Sequence, residues 1–133
     1  MTGADIIGTL LRADGDVLAL VAIADIKGGR LPDDADLPAL LVKVTTTVER
    51  QSLTRSALVR TVDRVSVTVR AETYEDQREA IRLVRACCAG RTGDIAGALS
   101  VSILTAGAGP ELDGPGNTFE RTQDFRVSFD AQA

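Results

Sequence analysis

Histidine is absent from this chain, and with it go the commonest general base and the commonest transition-metal ligand. Tryptophan is absent too, and Tyr74 and three phenylalanines are the only aromatic residues among 133. The core must therefore be built from Val, Leu, Ile and Ala, with few rigid rings left to line a ligand pocket or to stack on a base. Cysteine occurs only as the adjacent pair Cys87-Cys88. Neighbouring helical residues point apart, so a disulfide between them would need a distorted backbone. Without a second spaced pair they form no zinc site; on an apolar helical face they are expected to stay reduced and inert, in a reducing compartment. Positive charge is also scarce. Fifteen Lys and Arg against 19 Asp and Glu leave a net charge of −4, which argues against general affinity for nucleic-acid phosphates. No apolar run approaches the roughly 18–20 residues that span a bilayer, so no membrane association is expected. Met1-Thr2-Gly3-Ala4-Asp5 carries neither a basic region nor a small-residue cleavage site. No signal peptide is therefore expected, and synthesis in the cytoplasm follows.

The glycine and aspartate clusters offer no chemistry in their place. Gly28-Gly29 lacks the Lys-Ser/Thr of a phosphate loop and the dinucleotide-binding glycine pattern, and Gly107-x-Gly109-Pro110 opens no helix. Asp33, Asp34 and Asp36 have neither the tight-turn glycine nor the distant glutamate of a calcium loop, and read as surface acidity. No catalytic residue, cofactor site or metal ligand is assigned, and the chain is not expected to be an enzyme.

What is present fits one domain over residues 1–133, with an apolar fraction of 44% and a charged fraction of 26%. Ile6, Leu10 and Leu11 recur at helical spacing, as do Val17, Leu18, Val21 and Ala22. Two short N-terminal helices are expected, broken at Gly15, with Asp16 capping the second. A connection rich in turn residues follows from Lys27 to Asp36, with a short strand around Ile26–Gly28. From Leu37 the period changes to two: Leu40, Val42, Val44, Thr46 and Val48 alternate with Leu41, Lys43, Thr45, Thr47 and Glu49. The polar stretch from Glu49 to Ser56 either turns the chain or extends the strand into a long hairpin arm. Val65, Val67 and Val69 mark the return strand.

A helix is then expected from Thr73, its N-cap, to a stop at Gly90. Its apolar face holds Ala80, Ile81, Leu83, Val84, Cys87 and Cys88. Arg78, Arg82 and Arg85 are expected on a solvated face, paired as Glu75–Arg78 and Glu79–Arg82. Leu99, Val101, Ile103 and Thr105 are expected on one face of a further strand, and Phe125, Val127 and Phe129 on one face of the last. The Gly- and Pro-rich segment from Ala106 to Asn117 reads as an exposed loop. The expected fold is α+β, with one main helix packed across a largely antiparallel four-stranded sheet and the N-terminal helices beside it.

Four strings, in this order and spacing, carry a resemblance. They are Gly29-Arg30-Leu31-Pro32, Leu37-Pro38-Ala39-Leu40 leading into a strand, Val65 to Tyr74 as a strand running into a helix, and Phe125-Arg126-Val127-Ser128-Phe129. From Ile6 to Phe129 the chain resembles the tail-completion, or tail-terminator, proteins of long-tailed bacteriophages and related prophage-derived particles. The resemblance implies a virion subunit of the tail and neck that forms a homo-oligomeric, six-membered ring at the head-proximal end of the tail tube. Its implied partners are other copies of itself, the tail tube protein and the head–tail connector or stopper, with DNA only as cargo in the lumen. No cofactor is implied.

Ring or tube contacts are expected on Arg50, Ser52, Leu53, Thr54 and Arg55, and on Pro110, Glu111, Leu112 and Asp113, where single leucines lie in exposed polar surroundings. Three other readings stay open. The chain could form another neck ring or a tube subunit, act as a small ligand-binding regulatory module, or be a histidine-free enzyme working through carboxylates.

Overall fold

The computed structural model describes residues 1–132. Helix α1 (Gly3–Ala13) begins at Thr2, whose side chain accepts the Asp5 amide while the Asp5 carboxylate takes the Thr2 amide at 2.8 Å. This reciprocal capping satisfies two amides that a helix start leaves without partners. Helix α2 (Gly15–Leu20) follows, and its cap is Asp14 rather than the expected Asp16. One Asp14 oxygen accepts the amides of Asp16 at 2.9 Å and Val17 at 3.1 Å, which places Asp16 inside the first turn.

The amide of Val17, above all, holds the Asp14 carboxyl below its ordinary value of 3.8. The carboxylate's contribution to stability is therefore complete above that value and is lost as pH falls through the lower folded one. Asp14→Ala is expected to cost about 1 kcal/mol at neutral pH. The difference from wild type in thermal melts should shrink toward acid, whereas Asp14→Asn, which caps without charge, should track wild type at neutral pH.

A short 3-10 turn, Ile23–Asp25, leads into β1 (Ile26–Gly28), and the chain continues as β2 (Ala39–Arg50), β3 (Leu58–Ala71), α3 (Tyr74–Cys88), β4 (Thr92–Ile95), β5 (Ala98–Ala108), β6 (Leu112–Gly114) and β7 (Thr118–Gln132). The strands form one sheet in the order β1-β2-β3-β7-β5-β4, with β6 also paired to β7. β1 runs parallel to β2 and every other pairing is antiparallel.

This corrects the expected α+β arrangement. The chain is mostly sheet (47% strand), and its seven-stranded mixed sheet curls into a half-barrel with few helices, in place of four antiparallel strands under a main helix. The extra strands lie where glycine hides the period of two. In β4, Gly93 has φ +111°, and the turn to β5 uses Ala96 and Gly97 at φ +54° and +83°. In the Gly- and Pro-rich segment, the chain passes from β5 to β6 without leaving the edge of β7: Gly109 donates to the Thr122 carbonyl at 2.8 Å, and Leu112 then pairs with Glu120. That segment is strand on both sides of a three-residue interruption, not an exposed loop.

A second correction concerns Leu99. Ser100 sits at φ +52°, its amide donating to Asp94, and the register shifts between Leu99 and Ser102. This bulge turns Leu99 out to solvent while Val101 and Ile103 stay buried. Thr105 is exposed as well.

The core lies between the helices and one face of the sheet. Ile6, Ile7 and Leu11 of α1 and Ala80, Val84, Cys87 and Cys88 of α3 join Val65, Val67 and Val69 of β3 and Phe125, Val127 and Phe129 of β7. Thr73 caps α3 through the Asp76 amide, and Gly90, at φ +78°, follows its end. The packing of α1 is fixed at its start. The buried Asp63 of β3 accepts the Gly3 amide at 2.7 Å and the Thr47 hydroxyl at 2.7 Å. A Cβ on Gly3 would lie 2.8 Å from Asp63 Cβ and 2.9 Å from Val65 Cγ2, so only glycine admits this approach.

Candidate assembly surfaces

The polar stretch after β2 resolves into the hairpin arm. Strands β2 and β3 stay paired out to Arg50 opposite Arg60, and every residue from Thr45 to Leu58 is exposed. The register shift between Val44 and Thr46 is a bulge at Thr45, whose hydroxyl donates to the Arg64 carbonyl at 3.1 Å. A bulge there strengthens the local twist and turns the distal hairpin relative to the sheet. Arg50, Ser52, Leu53, Thr54 and Arg55 all lie at the tip, and Leu53 is wholly exposed.

The arm also offers backbone. β1 covers β2 only opposite Leu40–Val42, so the outer edge of β2 from Lys43 to Arg50 has no strand beside it among the described residues. Such an edge is a template for another strand.

Pro110, Glu111, Leu112 and Asp113 are well separated in sequence from the tip and belong to a different surface, at the β5–β6 interruption and in β6 itself. All four are exposed. Glu111 accepts the Tyr74 hydroxyl at 3.0 Å, and this bond is the first cause of the raised Tyr74 pKa. Tyr74 in turn meets the Phe119 ring edge-on, with centroids 6.1 Å apart. The segment is thus tied to the start of α3.

The sheet face opposite the core carries a ladder that only register reveals. Arg60 pairs with Asp130 at 3.2 Å. Arg64 donates through two nitrogens to one oxygen of Asp124, at 3.0 and 2.8 Å, and the other Asp124 oxygen accepts Ser66 at 2.8 Å. The Thr68 and Thr122 hydroxyls lie 3.0 Å apart, and Arg70 sits 3.5 Å from Glu120. All of these are cross-strand pairs between β3 and β7, whose side chains alternate faces.

Cys87 and Cys88 are free and buried. The neighbouring Cys87 sulfur, and then burial, push the Cys88 thiol far above its ordinary range, so it carries no thiolate at neutral pH. Among the described residues no group of Cys, Asp and Glu is placed to hold a metal ion, and no helix is long and apolar enough to cross a membrane.

The chain is similar in structure to one in the virion of a native gene transfer agent particle, with a TM-score of 0.70 over 97% of this chain and 95% of that one. Sequence identity is 14%, so the likeness establishes a shared fold. No family model matches the sequence, and no curated protein does. The shared fold spans nearly the whole of both chains, so it is a complete architecture and not a common supersecondary fragment.

Two features of these surfaces lay beyond sequence reasoning. The open edge of β2 depends on how short β1 is, and the ladder depends on which β3 residue faces which β7 residue.

Proposed function

We propose that the chain is a structural subunit of a phage-like particle, and within it a tail terminator. In this reading it forms a ring at the head-proximal end of the tail tube, stops tube polymerisation and joins the tail to the head connector. The observation that carries the proposal is the whole-chain likeness to a chain of a gene transfer agent virion. The arm supports it: a fully exposed leucine at the tip and an unpaired strand edge suit contact with another protein chain. Copies of the chain, the tube protein and the connector are the proposed partners, and DNA passes only as cargo. The proposed role is non-enzymatic, since ring and tube contacts require shape and edges rather than acid–base groups.

Deleting the gene in the cell that makes the particle, followed by negative-stain electron microscopy, tests the role. Overlong tubes without heads are the expected product. Tubes of normal length beside filled, unattached heads would move the chain to a head-side ring of the neck, and normal infectious particles would end the assembly reading. In the same background, Leu53→Asp should fail to restore particles while the purified variant melts within about 2 °C of wild type, as expected for an exposed position. Full restoration by Leu53→Asp would remove the arm tip from the contact surface.

A further inference from the structure

An open groove of about 620 Å³ runs along the outward side of α3, lined by Arg78, Arg82, Arg85, Arg121 and the carboxylates Glu75 and Glu79. Three of the arginines come from the helix face that sequence alone assigns to solvent. The fourth, Arg121, comes from β7 and is held there by its bond to the Gly109 carbonyl at 2.9 Å. Four arginines and two glutamates line the groove; with Arg121 4.0 Å from Glu111 outside it, the positive excess rests on Arg78 and Arg85 against Glu75. Glu79 is engaged by Arg82, while Arg78 lies over the Tyr74 ring at 5.6 Å. Neither Arg78 nor Arg85 has a carboxylate within ion-pair distance among the described residues.

The same chain carries the complementary group. Asp33, Asp34 and Asp36 lie in the β1–β2 connection, all exposed and all without a cationic partner among the described residues. Their turn stands on a fixed base: Leu31 is buried, Arg70 donates to the Pro32 carbonyl at 2.7 Å, and Ala35 donates to the same carbonyl at 3.2 Å. An acidic turn held in place loses little entropy when it docks.

We infer that the arginine groove of one copy receives the Asp33–Asp36 turn of a neighbouring copy. The inference rests on the assembly reading and gives it a contact. Groove and turn are different patches of one surface, so their pairing is head-to-tail. Repetition of such a contact closes into a ring or extends into a filament, and does not stop at a two-fold dimer.

The test is sedimentation velocity of the purified full chain at about 50 mM and about 500 mM salt. Wild type should self-associate at the lower salt and weaken about tenfold or more at the higher one. Arg78→Glu with Arg85→Glu, and separately Asp33→Lys with Asp34→Lys, should each weaken self-association at low salt by about tenfold or more. All four positions are exposed, and circular dichroism of each variant should match wild type. One chain carrying both sets should recover to within about threefold of wild type, because the reversed charges again face opposite signs.

A wild type that stays monomeric at low salt, single sets without effect, or a combined chain that does not recover would each overturn the contact. So would self-association that persists in the arginine variant while its binding to a double-stranded oligonucleotide, present in wild type, is lost. Overlong tubes on gene deletion would leave the terminator role standing in any of these cases.

Discussion

Phe125→Ala is expected to destabilise the protein by about 3–5 kcal/mol. Phe125 has no exposed surface and sits midway along β7, opposite Val65 of β3 on one side and Thr105 of β5 on the other. It therefore belongs to the central strand of the sheet and faces the helical layer that includes α1 and α3. Few other side chains of that size are available, since the chain has three phenylalanines and no tryptophan. A cavity left here cannot be filled by a neighbouring ring, which puts the cost toward the top of the usual range. Total stability of a domain this size is on the order of 5–15 kcal/mol, so about a fifth or more would go. Urea denaturation should show a lower midpoint with an unchanged slope. Phe125→Leu, which keeps most of the volume, should cost roughly 1 kcal/mol. A loss below about 1 kcal/mol for the alanine variant would show that the site collapses freely and is not packed as described.

Asp63→Ala is expected to cost about 2–4 kcal/mol by a different route. The buried carboxylate holds the first amide of α1 through one oxygen and the Thr47 hydroxyl through the other. Removing it leaves the Gly3 amide without an acceptor in a space that glycine alone can enter. It also removes a negative charge from the positive end of the α1 dipole. Asp63→Asn keeps an oxygen that can accept one of the two bonds and should lose about half as much. Amide hydrogen exchange separates this from general destabilisation: α1 should lose protection ahead of α3 and β7. Uniform loss of protection would mean that Asp63 does not act as the anchor of α1.

Single elements, though not the sheet as a whole, were legible where one signal acted alone. Helix α3 has a cap at Thr73, an apolar stripe and a stop at Gly90, and each is found in place. Val65, Val67 and Val69 alternate without interruption and are buried as a set. Reading failed where backbone conformation overrode the pattern. Ser100 at φ +52° reverses Leu99, and Gly93 at φ +111° allows a strand in a segment with no apolar alternation. The Gly109-Pro110 interruption resembles a loop in sequence, yet β7 is long enough to pair with the chain on both sides of it. The last two of these concealed β4 and β6, and with them the seven-stranded sheet.

The surfaces were legible in part for the same reason. Leucines 53 and 112 stand out as apolar residues in polar strings, and both are exposed. By contrast, Arg121 reaches the α3 groove only because β7 passes beside that helix, a neighbourhood invisible from α3 itself.

The polar ladder on β3 and β7 has a consequence for how this side of the molecule acts at a distance. Arg60, Arg64 and Arg70 each have an acid from the facing strand within 3.5 Å. Seen from more than a few side-chain widths away, such a row is a set of small dipoles and not a line of monopoles. Its potential decays faster with distance than that of free charges, even before salt screens it. What reaches farther on this face is set by the exposed Lys43 and Arg126, which lie opposite Ser66 and Arg64 and have no carboxylate within ion-pair distance among the described residues.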